Sequence, residues 1–328
     1  MGQELRAFWD SLPHKGVFAL LFGAWLALFH FIGHAQLGWL SNPSLFLFLD
    51  TMYSHAADVE SDDAIGRYIP VVFLVLLLVQ RGPLTGVRKE PWAGGLVLVL
   101  LGCLMHIFAY TVQMFPFSLL AFLTGLYGLT GLVWGPAWLR AAFFPFVVLV
   151  FCLPVEPYIE GFTFKLRHLA AAASTWVCTD LLGLKLVRQE LQVICLGPKG
   201  EPRFQFEVAA ACSGIRSLKV ILLLTLIYGF LTFRTLWRRL LVLAVAPLLA
   251  VSGNIGRLIV TFTIGEAHGE SVAKKIETNA GYFTFLIALG GVLLLGRLLR
   301  EKDPADPVDP SPRPPADPTA PPAAPQMA

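Results

Sequence analysis

Charged residues are scarce in this chain. Only 14% of its 328 residues are Asp, Glu, Lys or Arg, whereas 56% are hydrophobic. Soluble domains average about 25% charged residues, and several apolar runs here approach the roughly 20 residues that cross a bilayer. The composition therefore excludes a soluble domain and predicts a polytopic protein embedded in the lipid bilayer. The net charge of +3 gives no indication of a nucleic-acid partner.

Cysteine is also sparse. The five cysteines contain no CxxC pair and none of the spacings that are typical of metal sites. We therefore expect neither a metal nor another cofactor. The odd number leaves at least one thiol free within a monomer, and the sequence leaves the oligomeric state open. Cys178 and Cys195 could form a disulfide if their segment faces an oxidising compartment.

Eight apolar segments predict an all-α polytopic membrane protein with about eight transmembrane helices. The segments are approximately residues 16–32, 65–80, 92–112, 117–137, 141–154, 214–233, 240–264 and 279–299. The fourth segment is rich in glycine, which lets neighbouring helices approach closely. Pro145 is expected to break the fifth. The acidic stretch from Asp50 to Asp63 predicts a solvated loop.

Between the fifth and sixth segments the chain is less apolar. Residues 162–184 show an amphipathic pattern that is typical of a helix on the membrane surface or over a site. Residues 187–208 alternate between apolar and polar around a turn at residues 197–200, which predicts a β-hairpin. These elements belong to a membrane domain of residues 1–300, and the proline-rich tail of residues 301–328 is expected to be disordered.

Basic residues follow the even-numbered segments. They are Arg81, Arg88, Lys89, Arg140, Arg234, Arg238, Arg239, Arg297, Arg300 and Lys302. The positive-inside rule then places both termini in the cytoplasm. We expect the protein to lie in the cytoplasmic (inner) membrane. The start of the sixth segment, the end of the seventh and the polar stretch before the eighth consequently share the extracytoplasmic face.

A cysteine stands where the sixth segment enters the membrane, in the sequence Ala211–Cys212–Ser213–Gly214–Ile215–Arg216–Ser217. The N-terminal end of a helix offers free N–H groups and a partial positive charge. Both favour a thiolate over a thiol, and Arg216 lies one turn further along the same face. We therefore interpret Cys212 as a nucleophile, with Ser213 and Arg216 in supporting positions.

Arg257 is the second unusual residue, because charged side chains within transmembrane helices are costly and usually mark function. It lies near the end of the seventh segment, roughly 10 Å below the outer surface. Asn254 lies one turn earlier on the same face. The depth and this neighbour favour an inward-facing role over contact with lipid headgroups.

The cysteine motif, followed by Asn254–Ile255–Gly256–Arg257, resembles the exosortase/archaeosortase family over about residues 154–299. The resemblance implies a polytopic membrane cysteine transpeptidase or protease. Its substrates would be exported proteins that carry a C-terminal sorting signal, namely a short motif, a transmembrane helix and a basic end. The family's catalytic cysteine and arginine correspond to Cys212 and Arg257.

The family's third catalytic residue has several candidates in this chain. The family pattern, counted back from a glycine that opens the last helix, points to Glu277, with Asn279 beside it. The nearest histidine is His268, eleven residues after Arg257. We favour His268 because the leaving amine needs a proton donor and imidazole titrates in the right range.

Two other classes of function remain open from the sequence. A transporter would need polar residues at matching depths in several helices, and the first four segments supply almost none. A non-catalytic assembly factor of an exopolysaccharide or envelope system would carry the cysteine motif only as structure. Fast labelling of Cys212 by a thiol reagent would distinguish an enzyme from both.

Overall fold

The computed structural model describes residues 2–33, 43–58, 62–197, 199–207 and 215–299. The helices in the first half are α1 Gly2–Asp10, α2 Lys15–Phe31, α3 Leu45–Asp58, α4 Ile69–Val79, α5 Arg81–Gly86, α6 Gly94–Thr111 and α7 Phe115–Leu149, with a 3₁₀ helix at Asp62–Tyr68. Those in the second half are α8 Glu156–Trp176, α9 Ile215–Thr232, α10 Leu236–His268 and α11 Glu270–Leu298. Most of the described chain is thus helical, as predicted.

The close approach expected of the glycine-rich segment is present between α6 and α7. A Cβ on Gly102 would lie 2.9 Å from the carbonyl oxygen of Ala121 and 3.1 Å from the nitrogen of Gly125. Such distances leave no room for a side chain, so the two backbones touch. Small residues thereby replace large apolar contacts in holding this pair of helices together.

Helix α7 is a hairpin of two helices that reverses at Gly135, where φ is 87° and ψ is 175°. The rings of Tyr127 and Phe146 lie 4.9 Å apart, and the Tyr127 hydroxyl donates to the carbonyl of Leu139 at 3.1 Å. Tyr127 and Phe146 are nineteen residues apart, and a continuous helix of that length would span about 28 Å. Because their rings lie so close together, the chain must fold back between them. The fourth and fifth predicted segments are therefore separate limbs. The expected break at Pro145 was wrong, because helix continues through that residue.

The predicted hairpin is present as part of a small antiparallel sheet. Its strands are β1 Leu186–Gln189, β2 Gln192–Leu196 and β3 Pro202–Glu207, in the order β1-β2-β3. The amphipathic segment before it is α8, extended by a π turn at Val177–Leu181. Strand β2 pairs with both β1 and β3. The predicted turn at residues 197–200 joins β2 to β3, so the sequence pattern predicted two of the three strands.

The sheet packs against the C-terminal half of α10 and against α8. Buried residues from the sheet, α8, the π turn, α10 and the start of α11 form one apolar cluster: Ala170, Ala171, Cys178, Leu186, Val193, Cys195, Phe206, Leu258, Phe262 and Ala273. Cys178 and Cys195 are both free thiols within this cluster, so the possible disulfide is absent.

Helix α9 lies between the two halves of the molecule. Leu223 belongs to the large core built by the first half, and the ring of Phe230 stacks on Phe144 at 3.6 Å. On its other side, Ile221 packs in a separate core with residues of α10 and α11. The helix that follows the cysteine motif therefore contacts both halves.

The polar stretch before the eighth apolar segment is helical on both sides of a one-residue turn. Helix α10 continues to His268, and α11 begins at Glu270 after a single residue, Gly269, with a φ of 90°. The two helices form a tight antiparallel pair. The polar residues near this turn therefore have fixed helical positions.

Three stretches of the described residues are long and apolar enough to cross a membrane. They are Gly94–Thr111, Phe115–Cys152 and Leu236–His268, and shorter apolar helices occur at Lys15–Phe31, Leu45–Ser54, Leu218–Thr232 and Thr284–Leu298. The expected second segment begins as the 3₁₀ helix and is followed by the eleven residues of α4. An all-α membrane protein fits these findings, and the number of eight transmembrane helices stays a prediction.

Candidate active site

The cysteine motif lies at the edge of the described structure. Cys212 and Ser213 are outside the described residues, whereas Arg216 is in the first turn of α9. Strand β3 ends at Glu207 and α9 begins at Ile215. The position of Cys212 is therefore limited by the positions of these two ends.

Asn254 and Arg257 both lie within α10, as the sequence predicted. Asn254 is buried with 5% exposure, and Arg257 is half-buried. Because α10 extends to His268, Arg257 is eleven residues from the helix end, which is about 16 Å along the axis. It lies deeper in the helix than the sequence estimate of roughly 10 Å.

The packing of α9 against α10 shows which residue of α10 lies at the same level as the start of α9. The two helices are antiparallel, and a Cβ on Gly229 would lie 3.8 Å from the Cα of Arg239. Ile215 precedes Gly229 by fourteen residues, and Gly253 follows Arg239 by fourteen residues. Because both helices rise equally per residue, Ile215 lies near the level of Gly253. Arg257 is four residues beyond that level, which is about 6 Å.

Strand β3 ends further out on the same helix. The rings of Phe206 and Phe262 lie 5.7 Å apart, and a Cβ on Gly265 would lie 2.8 Å from the Phe206 ring. The chain that joins β3 to α9 therefore starts near the level of Phe262 and ends near that of Gly253. Arg257 lies between these two levels.

Covalent geometry then bounds the distance from Cys212 to this part of α10. Cys212 precedes Ile215 by three residues, so the two Cα atoms are at most about 11 Å apart. An arginine side chain extends several ångströms from its own backbone. Cys212 itself lies outside the described residues, so its contact with Arg257 stays a prediction.

His268 is the last residue of α10 and is exposed. Eleven residues separate it from Arg257, which is three turns of helix and about 16 Å. The two residues lie on the same face, but at different levels. The structure therefore does not bring His268 to the level of Arg257.

Glu277 and Asn279 lie on α11, which runs antiparallel to α10. A Cβ on Gly253 would lie 3.3 Å from the carbonyl oxygen of Thr284, and equal helical rise then puts residue 280 near the level of Arg257. Asn279 is within about one turn of that level, and Glu277 is within about two. Both candidates are nearer to the level of Arg257 than His268 is.

Comparison with known protein families identifies the chain. Residues 57–294 match the family described as Transmembrane exosortase (Exosortase_EpsH). The chain belongs to the transmembrane exosortase family. The match begins well before residue 154, so the exosortase region includes the α7 hairpin as well as α8 to α11. The comparisons with curated proteins and with solved structures gave no match.

The other thiols near the exosortase site are buried in apolar surroundings. Burial in β2 raises the pKa of Cys195 to about 12, and the carboxylate of Glu266 acts in the same direction, while Arg203 opposes both. Arg203 forms an ion pair with Glu266 at 3.2 Å across the junction of the sheet and α10. Cys195 is therefore a structural thiol and not a second nucleophile.

A metal site receives no support in the part of the chain that the structure describes. No group of three or more His, Cys, Asp or Glu side chains lies together there.

One pair of charged residues near the site was missed in the sequence. Asp63 was assigned to a solvated acidic loop, but it is only 4% exposed. Its carboxylate accepts from the ammonium of Lys219 in α9 at 2.7 Å. A lysine inside an apolar segment was the available signal, because such a charge needs a partner.

Proposed function

We propose that this exosortase is a membrane cysteine transpeptidase or protease that cleaves the C-terminal sorting signal of exported proteins. The observation that carries the proposal is the bracketing of Arg257 between the end of β3 and the start of α9. The segment that contains Cys212 joins these two ends. We expect it to bring the Cys212 thiol within reach of the Arg257 guanidinium.

In the proposed reaction the Cys212 sulfur attacks the carbonyl carbon of the scissile peptide bond. Arg257 stabilises the negative charge, first on sulfur and then on the carbonyl oxygen. A single preorganised donor of this kind contributes roughly 3–4 kcal/mol to transition-state stabilisation in other enzymes. Asn254, one turn away and buried, supports the position of the guanidinium.

The carbon–nitrogen bond then breaks and a thioester forms on Cys212. We assign proton transfer to Glu277, which is nearer to the level of Arg257 than His268 is. Its carboxylate takes the thiol proton as the sulfur attacks and gives it to the leaving nitrogen. An amine acceptor or water next attacks the thioester carbonyl and gives its proton to the Glu277 carboxylate, and the thiolate leaves. Asn279 cannot carry the proton, because an amide does not titrate, but it could orient the substrate.

The substrate's own transmembrane helix explains why this site belongs at membrane depth. A scissile bond that adjoins a membrane helix lies at the bilayer surface, and the positive-inside pattern puts Cys212 at the extracytoplasmic face. Both termini are then cytoplasmic, in the inner membrane. Arg216, in the first turn of α9, contributes positive charge near the thiol.

The decisive experiment replaces Cys212 in cells that express a substrate protein with a sorting signal. We expect Cys212→Ala and Cys212→Ser to abolish processing, observed as accumulation of the uncleaved substrate on a gel. Cys103→Ala removes a free thiol from α6 and is the matched control. Unchanged processing by Cys212→Ala, at equal expression, would contradict the proposed function.

A further inference from the structure

A buried ion pair joins the outer part of α9 to the first half of the molecule. The Lys219 ammonium lies 2.7 Å from Oδ1 of Asp63, and the two side chains are 9% and 6% exposed. The two residues are 156 positions apart in the chain. Lys219 is only four residues, or about 6 Å, from the first residue of α9.

The same two side chains also hold the segment between α7 and α8. Lys219 donates to the carbonyl of Leu153 at 3.2 Å, and the backbone N–H of Val155 donates to Oδ1 of Asp63 at 3.2 Å. Beside them, the buried hydroxyl of Tyr53 donates to the carbonyl of Cys152. Three separate parts of the chain therefore meet at one directional hydrogen-bonded network.

The network is poorly explained as a source of stability. Burying two charges is costly, and an apolar pair of similar volume often stabilises a protein equally well or better. What an ion pair with fixed backbone partners adds is a specific relative position, because its hydrogen bonds are satisfied in one arrangement only. Here it fixes how far α9 slides along its neighbours.

We infer that Asp63 and Lys219 are positioning residues that hold the start of α9, and with it Cys212, at the level of Arg257. The inference rests on the proposed function of Cys212 and Arg257. Cys212 lies seven residues before Lys219 in the sequence. A shift of α9 by about 1 Å would misplace the thiol, and such a shift costs about a hundredfold in rate in other enzymes.

The test removes both charges together, in the double variant Asp63→Asn/Lys219→Met. Neither single variant is sufficient, because each leaves one buried charge unpaired and can unfold the protein. We expect the double variant to keep a thermal midpoint within a few degrees of the parent in detergent. Its kcat for substrate cleavage should fall about a hundredfold with little change in KM, since the substrate contacts remain.

An exposed ion pair between the same 3₁₀ helix and α3 provides the matched control. Arg67 lies 2.7 Å from Oδ1 of Asp50, and the two side chains are 51% and 52% exposed. Asp50→Asn/Arg67→Met removes the same charges from the surface and should leave kcat unchanged. A stable Asp63→Asn/Lys219→Met protein with the parent's kcat would overturn the inference.

A second variant decides the question if the double variant does not fold. Asp63→Glu keeps the charge and adds one methylene group, so the ion pair persists in a displaced position. We expect it to fold and to lose at least tenfold in kcat, whereas parental kcat in a folded Asp63→Glu protein would contradict a positioning role.

Alkylation of Cys212 gives a readout that does not depend on substrate cleavage. When the thiol is held beside Arg257, iodoacetamide should react with it at neutral pH, and the pH midpoint of this reaction should rise in the double variant. A folded double variant with an unchanged midpoint counts against the inference. If the parent protein alkylates at Cys212 but cleaves no substrate, the proposed function fails while the positioning test remains valid.

Discussion

Replacement of Gly135 by alanine tests the helical hairpin on which the membrane topology of the first half depends. Gly135 has φ of 87° and ψ of 175°, a backbone region that is essentially restricted to glycine. A Cβ built there would lie 2.3 Å from the carbonyl oxygen of Glu90, which is a backbone atom and cannot rotate away. Both the dihedral angles and the available space therefore oppose a side chain.

The expected cost combines these two effects. A residue held in such a region costs about 1–3 kcal/mol, and overpacking against fixed atoms typically adds about 1–3 kcal/mol. We expect Gly135→Ala to lower the free energy of unfolding by about 2–5 kcal/mol, the two sources being partly shared. Displacement of α7 from the Glu90 segment should accompany the loss.

The assay is reversible unfolding in mixed micelles, followed by tryptophan fluorescence from Trp134 and Trp138 beside the turn. Gly23→Ala in α2 is the control, because a Cβ there meets nothing within 4 Å. Alanine in mid-helix should stabilise that variant by up to about 1 kcal/mol. Equal stability of Gly135→Ala and the parent would refute the reversal of α7 at this residue.

Two further predictions concern the site. Glu277→Gln should lower substrate processing by about a hundredfold or more, because a positioned proton-transfer group contributes 10²–10⁴-fold to the rate. His268→Ala should leave processing within about threefold of the parent. The reverse result would make His268 the proton-transfer residue. Cys195 should stay unlabelled by iodoacetamide at pH 8, since a pKa of about 12 leaves roughly one thiol in 10⁴ ionised. Mass spectrometry of the labelled peptides measures this, and labelling of Cys195 at a rate similar to that of Cys212 would show that the β2 core is open.

Local features of the sequence were sufficient for the class of protein and for much of its organisation. The length of an apolar run predicts a membrane helix, because each such helix must by itself be long enough to span the hydrocarbon core. Alternation around residues 197–200 predicted the β2–β3 hairpin, since side chains alternate along any strand. The cysteine motif with Asn254 and Arg257 was enough to indicate the exosortase family, which the match over residues 57–294 confirms.

The positions of the breaks were not available from local patterns. Pro145 was the expected break of the fifth segment, yet a proline in a membrane helix is tolerated when neighbours satisfy the freed carbonyl. The reversal instead occurs at Gly135, where the opposing atom belongs to Glu90, far away in the chain. Similarly, the polar residues around His268 are helical, because α10 and α11 pack along their whole length.

The sequence by itself was enough to indicate a membrane protein of the exosortase family and to predict which residues react. Only the tertiary structure decided which of those residues share a level, because the levels follow from the antiparallel packing of α9, α10 and α11. It alone showed that Asp63 is buried against Lys219, a partner 156 positions away. Short-range rules describe a residue's own helix or strand, whereas ion pairs and helix registers depend on which distant segment packs against it.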